Sequence, residues 1–418
     1  MMSLQEAAAC AGEAMQERLE KPAQTCVLGM HLKGQDHDYE IHIGPQALPQ
    51  LQVLLKGRRC AIVTDDVVWA LHGETLCEAL GLSTSALAEI ENGRTAGRET
   101  LYLTPAQREG EIQLLSVSVV PNGEASKNMA QLNRLYQDFV KGGVTRRDVI
   151  IAFGGGVIGD LAGYAAATWL RGVEFIQVPT SLLAMVDSSV GGKVAIDLPE
   201  GKNLVGAFHQ PKAVLVEPRF LDTLPVRRLR DGLAEMVKAA MIRDAALLPM
   251  ILEQFVTQSE VPVSRRPEIN SLITRAIEIK KKVVEMDEKE VGDRKLLNFG
   301  HTLGHAAESR VGYNPELMTH GEGVAFGMQW ITRLSEKKGL SEAGTAGLLA
   351  SALTELGFET APPLDFPALK DWVLRDKKMT DTGLEVILIR QPGEGYVHRL
   401  AAGEVDDFFD TSSTFTDQ

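Results

Sequence analysis

The side chains best suited to chemistry in this chain are three histidines, His301, His305 and His320. His301 and His305 are four residues apart, so on a helix both project from one face toward a common ion or substrate. His320 can join them from the following element, and Glu235, in an apolar helical segment upstream, is a candidate carboxylate partner. Such a set is typical of a catalytic zinc site, which keeps one position open. On these residues alone, a histidine pair that binds nothing is the alternative.

A glycine-rich turn predicts a nucleotide site. Residues 148–153 form a predicted strand that runs into Gly154, Gly155 and Gly156, and a helix is predicted over 161–170. A strand, a glycine turn and a helix start bring backbone amides against a phosphate. Tight packing of the glycines and ordinary helix capping are the alternatives. The other candidate contacts for a dinucleotide at the carboxyl ends of the strands are Asp65, Glu124, Lys127, Asp160 and Thr180.

A second set of polar residues predicts a phosphate site. Lys193 follows Gly191 and Gly192, and Lys202 and Asn203 follow Gly201, with Asp187 nearby. Two lysines and an asparagine in glycine-permissive loops suit a phosphomonoester, because lysine supplies charge and loop amides complete the contacts. A solvated turn explains either lysine alone but explains the whole set poorly.

Further charged residues surround the histidines in the sequence. Glu235 and Lys238 are three apart on an apolar helix, which indicates a polar cleft in preference to a surface ion pair. Lys280 belongs to a run of three lysines. If the helix that carries His301 already includes Arg294, then Arg294 and Asn298 lie on the same helical face as His301.

Length and charge exclude several classes of protein. A chain of 418 residues exceeds one ordinary core and predicts two domains, with a cleft between them as the expected active site. The net charge of −13 argues against nucleic-acid or anionic-membrane partners, and no apolar run reaches the roughly twenty residues of a membrane span. The four cysteines form no CxxC pair, which is typical of free thiols in the cytoplasm.

The order of predicted elements gives the fold class. Alternating strands and helices predict an N-terminal α/β domain with a mainly parallel sheet, and the segment after Pro225 predicts a mostly α-helical domain. The predicted boundaries are an N-terminal extension over 1–38, the α/β nucleotide-binding domain over 39–225 with an insertion at about 83–113, the helical metal- and substrate-binding domain over 226–402, and an acidic tail over 403–418.

Together these motifs closely resemble the 3-dehydroquinate synthase family, within the sugar phosphate cyclases. The resemblance runs from about Tyr39 to Leu400. The motifs that carry it, in chain order, are Gly154-Gly-Gly-Val-Ile-Gly-Asp160, Val178-Pro-Thr180, Asp187-Ser-Ser-Val-Gly-Gly-Lys193, Gly201-Lys-Asn203, Glu235-Met-Val-Lys238, Leu297-Asn-Phe-Gly-His-Thr-Leu-Gly-His305 with Arg294 before it, and His320-Gly-Glu322.

The resemblance implies an activity and two cofactors. The family converts 3-deoxy-D-arabino-heptulosonate 7-phosphate to 3-dehydroquinate and phosphate in the shikimate pathway. It uses NAD+ and a divalent metal, zinc, with cobalt as an alternative. Transient oxidation of a ring carbinol acidifies the neighbouring C–H, phosphate leaves by β-elimination, the hydride returns, and an intramolecular aldol step closes the new ring.

The resemblance also implies residue roles. The metal ligands would be Glu235, His301 and His320, which leaves His305 as a catalytic residue. The other catalytic residues would be Lys193, Lys238, Lys280, Arg294 and Asn298. Substrate contacts would come from Arg171, Asp187, Lys193, Lys202, Asn203 and either Lys377 or Lys378. NAD contacts would be Asp65, Glu124, Lys127, Gly155, Gly156, Asp160, Thr180 and Ser181. Because Arg171 would act on a neighbouring subunit, a homodimer is implied.

Three alternatives remain open at this stage. Another sugar phosphate cyclase would use the same chemistry on sedoheptulose 7-phosphate or glucose 6-phosphate, without needing Lys280, Arg294, Asn298 and His305 for a substrate carboxylate. A polyol dehydrogenase of similar fold would not need the phosphate-binding lysines and would release its NADH. A catalytically inactive binding protein would lack bound metal and NAD.

Overall fold

The computed structural model describes residues 25–32, 38–82, 100–102, 112–290, 292–359, 379–380 and 383–409. The chain forms two compact units. The first unit is Met1–Leu224 with Glu260–Thr274, and the second is Pro225–Ser259 with Arg275–Gln418. Within the residues given above, no helix combines the length and apolar character needed to cross a membrane.

An eight-stranded sheet forms the centre of the first unit, in the order β1-β2-β10-β7-β6-β3-β5-β4. The six inner strands are parallel, whereas β1 and β4 pair antiparallel at the two edges. All residues of β6 are buried, as expected for a parallel strand covered on both faces. The strands of this unit are β1 Cys26–Met30, β2 Tyr39–Ile43, β3 Arg59–Asp65, β4 Thr100–Tyr102, β5 Gln113–Val120, β6 Val149–Gly154, β7 Glu174–Pro179, β8 Lys193–Leu198, β9 Gly201–Phe208 and β10 Ala213–Val216.

Four helices of the first unit connect these strands. They are α1 Gln50–Leu54, α2 Asp66–Ala79, α3 Met129–Gly142 and α4 Gly156–Thr168. Asn128 caps α3 by accepting the backbone N–H of Gln131, and Gly143, at φ 70°, ends it in the left-handed conformation. Helix α4 begins at Gly156, five residues before the predicted start, because the glycine turn itself enters the helix.

Several elements of the first unit differ from the sequence prediction. Cys26–Met30, assigned to an extension, is an edge strand, and Thr100–Tyr102 places a strand within the predicted insertion. Lys193–Leu198 and Gly201–Phe208, expected as loops, form the antiparallel β8–β9 hairpin. Glu260–Thr274, expected in the helical domain, clusters with the first unit, where Ser264 donates its backbone N–H and its hydroxyl to Asp222 at 2.9 and 2.6 Å.

The second unit is mainly helical, as predicted, and also contains a small sheet. Its helices are α5 Val226–Arg243, α6 Leu247–Leu252, α7 Ile269–Met286, which starts in the first unit, α8 His301–Arg310, α9 His320–Lys337, α10 Thr345–Glu355 and α11 Val405–Phe408. An antiparallel sheet of β11 Met379–Thr380, β12 Gly383–Ile389 and β13 Gly395–Leu400 was not predicted from the sequence. Strand β12 is buried along most of its length, including Val386 and Leu388.

Helices α8 and α9 pack unusually closely because glycines face each other across their contact. A Cβ added at Gly304 would lie 2.7 Å from the carbonyl oxygen of Gly323, and one added at Gly327 would overlap the carbonyl oxygen of Gly300. Real Cβ atoms essentially never come this near a backbone atom. The contact therefore requires residues without side chains at these positions.

We expect Gly327→Ala to destabilise the second unit by about 1–3 kcal/mol, the usual range for overpacking, since the new methyl group would push α8 and α9 apart. Gly347→Ala is the matched control, because a Cβ at that position of α10 meets nothing within 4 Å. Urea unfolding followed by circular dichroism would measure both. Equal stability of the two variants would contradict the close-packing argument.

Candidate active site

The second unit brings one carboxylate and two imidazoles together. Glu235 lies on α5, and His301 and His320 are the first residues of α8 and α9. One ligand atom from each of the three lies within 4.8 Å of the others. Glu235 Oε1 is 3.0 Å from His320 Nε2 and 3.6 Å from His301 Nε2. The sequence-predicted ligand set is therefore assembled in the fold.

The start of α9 is fixed against α5, which aligns His320 with Glu235. Asp231, one turn before Glu235, accepts the backbone N–H of Gly321 at 2.8 Å. Thr319 and Glu322 form a capping box at the start of α9. Glu322 also accepts two hydrogen bonds of 2.8 Å from the Arg227 guanidinium of α5.

The electrostatics of the cluster suit a divalent cation. Burial alone would raise the pKa of Glu235, but the charges of Lys238 and His320 outweigh it and hold that pKa well below its usual range. Burial and the charge of Lys238 lower the pKa of His301, so its imidazole is neutral. Burial opposes protonation of His320, yet Glu235 and Glu308 raise its pKa to about 10. A bound cation would replace the proton on His320 Nε2.

The orientation of the imidazoles also fits a metal site. His301 Nδ1 lies 3.1 Å from the carbonyl oxygen of Phe299, and donation there leaves Nε2 unprotonated toward Glu235. Glu235 Oε1 faces both imidazoles, while Oε2 forms an ion pair with Lys238 Nζ. One carboxylate and two imidazoles are a donor set that zinc accepts, so these residues fit the metal.

Residues predicted to contact substrate lie near this cluster in the chain, but not all share its helix. Gly300, left-handed at φ 79°, separates α8 from the short 3-10 turn Asp293–Asn298. The helix therefore does not begin early enough for Arg294 and Asn298 to share one helical face with His301. Arg294 donates to the backbone carbonyl of Glu288, and Asn298 donates to the Glu290 carboxylate at 2.6 Å.

Two other predicted residues lie on helices of this unit. His305 is exposed on α8, with its ring centroid 5.3 Å from that of His301. Lys280 is half-buried on α7. Glu308, whose Oε1 lies 3.1 Å from His320 Nδ1, is not among the residues predicted from the sequence. Its spacing of three from His305 and seven from His301 places it on their helical face and could have revealed it.

In the first unit, the glycine turn has the predicted geometry. Strand β6 ends at Gly154, and Gly155 is the N-cap of α4. A Cβ at Gly156 would lie 3.0 Å from Ser188 Oγ, and one at Gly159 would lie 2.8 Å from Gln177 Oε1. Packing thus contributes to the choice of glycine, while the first amides of α4 remain suited to a phosphate.

Two predicted NAD contacts, Thr180 and Ser181, directly follow strand β7. Thr180 is buried and donates its backbone N–H to the Gly154 carbonyl at 2.9 Å. Ser181 Oγ accepts the backbone N–H of Ala184 at 3.3 Å. The bond from Thr180 to Gly154 holds the ends of the neighbouring strands β6 and β7 together, at the sheet edge predicted to bind a dinucleotide. The bond to Ser181 is local to the turn that follows β7.

Asp65 serves as a helix cap in this structure. Its Oδ1 accepts the backbone N–H groups of Val67 and Val68 at 3.1 and 2.9 Å, and the Asn122 side chain at 3.0 Å. Burial raises its pKa. Because these bonds converge on Oδ1, Oδ2 is the oxygen that could accept a ribose hydroxyl.

Lys127 is the centre of a buried charge cluster formed with Glu124, Asp160 and Asp197. Its Nζ lies 3.0 Å from Asp160, 3.4 Å from Glu124 and 3.8 Å from Asp197. Burial alone would lower the pKa of Lys127, but the three carboxylates outweigh it and raise that pKa. For Glu124, burial is outweighed by the charges of Lys127 and Lys202, which lower its pKa.

The predicted phosphate contacts are spread along the β8–β9 hairpin. Lys193 opens β8 and is exposed, whereas Lys202 and Asn203 lie near the tight end, where Leu198 pairs with Gly201. Five residues at about 3.3 Å each separate the two ends by roughly 16 Å along the strand. The prediction that these residues lie in loops is therefore wrong, because both segments pair as strands.

Of the remaining predicted contacts, the structure describes Asn203, Asp187 and Arg171 but not Lys377 and Lys378. Asn203 has a positive φ of 55°, and Asp197 accepts its backbone N–H at 2.8 Å. Asp187 is half-buried in the helical turn Ala184–Ser188. Leu170 and Arg171 are both left-handed, at φ 49° and 69°. Lys377 and Lys378 lie outside the described residues.

Comparison with known proteins identifies the family. The model of the 3-dehydroquinate synthase N-terminal region matches residues 117–231, and that of the C-terminal region matches residues 232–379. A 3-dehydroquinate synthase of Clostridium perfringens is 45% identical over 70% of this chain and 81% of its own length. One of Clostridium acetobutylicum is 43% identical over 85% of this chain and 90% of its own. The chain belongs to the 3-dehydroquinate synthase family.

A solved structure agrees with this family fold. The 2-epi-5-epi-valiolone synthase of Streptomyces hygroscopicus, with NAD+ and Zn2+ bound, has a TM-score of 0.74 at 24% identity and covers 90% of this chain and 96% of its own. This confirms the predicted fold class, an α/β domain with a mainly parallel sheet followed by a helical domain.

We expect His301→Ala and His320→Ala each to abolish tight binding of zinc, because each removes one of the three predicted ligands. Zinc retained after dialysis, measured by mass spectrometry, reports the loss, and circular dichroism checks the fold. His398→Ala, which changes a histidine of β13 outside the cluster, is the control. If His301→Ala retained zinc at the wild-type level, this would contradict the assignment of His301 as a ligand.

We expect Lys127→Met to destabilise the first unit by about 3 kcal/mol at pH 7, since it removes the cation that three carboxylates share. Without the lysine, the pKa values of these carboxylates rise in the folded protein. A raised folded-state pKa stabilises the fold only at low pH, so the loss should shrink as the pH falls toward 4. Urea unfolding at pH 7 and at pH 4 measures the loss of stability, with the exposed Lys141→Met as the control. An equal loss at both values would contradict the charge argument.

Proposed function

We propose that this enzyme converts 3-deoxy-D-arabino-heptulosonate 7-phosphate to 3-dehydroquinate and phosphate. The observation that carries the proposal is the cluster of Glu235, His301 and His320, assembled in a chain of the 3-dehydroquinate synthase family. The reaction begins and ends at the same oxidation level, so the dinucleotide is regenerated in each turnover.

The cofactors of the proposal are NAD+ and a divalent metal, zinc or cobalt. When bound, the metal supplies Lewis acidity to substrate oxygens and the nicotinamide accepts and returns a hydride. Glu235, His301 and His320 are proposed to hold the metal. The proposed dinucleotide contacts are Asp65, Glu124, Lys127, Gly155, Gly156, Asp160, Thr180 and Ser181. We further propose that the first unit is the dinucleotide-binding domain and the second the metal-binding domain.

The chain's own residues have distinct proposed tasks around the substrate. Lys238, paired with the buried Glu235 carboxylate, would stabilise negative charge on a substrate hydroxyl. His305 is exposed beside His301 and would hold or move a proton on the substrate. Lys280, Arg294 and Asn298 would bind the substrate carboxylate, for which guanidinium, ammonium and amide donors are suited.

The substrate phosphate requires a separate set of cations. The residues proposed for it are Lys193, Asn203 and either Lys377 or Lys378, with Asp187 and Lys202 binding substrate hydroxyls. Arg171 of the partner subunit would complete the set in a homodimer. The left-handed backbone at both Leu170 and Arg171 supports a functional role there, because such strain persists where the surrounding fold requires it. The homodimer and a cytoplasmic location stay predictions.

A second cyclase activity is the alternative, since the solved structure of similar fold belongs to a 2-epi-5-epi-valiolone synthase. Such an enzyme would act on sedoheptulose 7-phosphate or a related sugar phosphate. The donors Lys280, Arg294 and Asn298 favour a substrate that carries a carboxylate. The sequence identity of 45% to a 3-dehydroquinate synthase favours the same choice.

The deciding experiment measures phosphate release from 3-deoxy-D-arabino-heptulosonate 7-phosphate by the full chain. We expect release that requires NAD+ and stops after chelation of the metal, with no release from sedoheptulose 7-phosphate. Release from the second substrate alone would move the enzyme to the alternative cyclase activity. No release from either, by protein shown to contain zinc and NAD+, would overturn the proposal.

A further inference from the structure

Glu308 is a buried carboxylate that the proposed reaction does not use. It lies on α8 seven residues after His301 and is only 3% exposed. Its Oε1 is 3.1 Å from Nδ1 of His320, while Nε2 of the same ring is 3.0 Å from Glu235. The His320 imidazole is thus held between two carboxylates, one at each nitrogen.

The fold keeps a space for this carboxylate. Gly323 lies on α9, one turn after His320, and a Cβ there would lie 3.2 Å from Glu308 Cγ and 3.3 Å from Glu308 Oε1. Both distances are tighter than ordinary van der Waals contact. Glycine at this position therefore lets Glu308 reach His320 from the neighbouring helix.

We propose that Glu308 is a positioning residue for the metal site. It accepts the Nδ1–H of His320, which fixes the tautomer whose unprotonated Nε2 points at the cluster of Glu235 and His301. A carboxylate in this position also makes the imidazole a stronger donor to a cation. The inference rests on the proposed function only in taking that cluster as a metal site.

A second cation site is the competing interpretation of the same residues. His305, Glu308 and His320 also bring one ligand atom each within 4.8 Å of one another. A neutral imidazole, however, carries a proton on one of its two nitrogens. His320 could bind cations at both nitrogens only after losing that proton as well. The single hydrogen bond to Glu308 requires no such loss, and we therefore favour it.

The test compares metal affinity in the full chain, stripped of metal by chelation, for wild type, Glu308→Ala and Glu308→Gln. Exposed Glu355→Gln on α10 is the control. Calorimetric titration with Zn2+ should give one ion per chain in wild type and binding about 10- to 100-fold weaker in Glu308→Ala, the usual effect of losing such a partner. Glu308→Gln, whose amide oxygen can still accept the Nδ1–H, should recover part of the loss.

A spectroscopic readout is independent of turnover. Loaded with Co2+, Glu308→Ala should show altered visible absorption, because the His320 ring is no longer fixed, while Glu355→Gln should match wild type. If Glu308→Ala fails to fold, nitrogen-15 NMR of zinc-loaded wild type decides. Protonated Nδ1 and metal-bound Nε2 on His320 are expected, and the reverse assignment would overturn the inference.

The outcomes separate this inference from the proposed function. Affinity of Glu308→Ala within twofold of wild type would overturn the positioning role and leave the metal site intact. Two ions per wild-type chain, falling to one in Glu308→Ala, would overturn it in favour of the second cation site. Failure of wild type to bind any divalent metal would instead remove the cluster assignment on which the proposed function depends.

Discussion

The close contact between α8 and α9 is the constraint on which the metal cluster depends. His301 and His320 begin these two helices, so their separation is set by how near the helix backbones come. Gly304 and Gly327 allow that approach, although a glycine inside a helix costs about 0.5–1 kcal/mol relative to alanine. The glycines therefore lower the local stability of the helices, but they allow two imidazoles to lie beside one carboxylate.

The close packing buries the charged Glu235 carboxylate, and a lysine of the same unit compensates its charge. Glu235 is 3% exposed, and an isolated carboxylate at such a position would be neutral. Lys238, three residues later on the same helix, keeps it ionised. In the first unit, Lys127 likewise lowers the pKa of Glu124, whereas at Asp160 burial outweighs Lys127 and the pKa is raised. Buried ion pairs contribute little net stability over apolar packing, so two such clusters are better explained by binding than by folding.

The parts of this organisation that the sequence could predict are those governed by local periodicity. The helices carrying Glu235, His301 and His320 and the parallel strands with apolar runs belong to this group. The β8–β9 hairpin escaped prediction because its glycines resemble loop residues until the two strands pair. Sequence spacing alone does not reveal whether Arg294 belongs to the helix of His301, because that helix is interrupted by the left-handed φ of Gly300. Glu308 was missed because its partner lies on another helix.

The residues proposed for the substrate carboxylate differ physically from those of the metal cluster. The cluster is preorganised, with each imidazole already oriented by a second contact at Nδ1. Asn298, in contrast, donates one N–H of its side-chain amide to the Glu290 carboxylate. The second N–H of the same amide is the donor proposed for the substrate carboxylate. In that proposal, a substrate without a carboxylate would not supply this acceptor, which favours substrates that carry one.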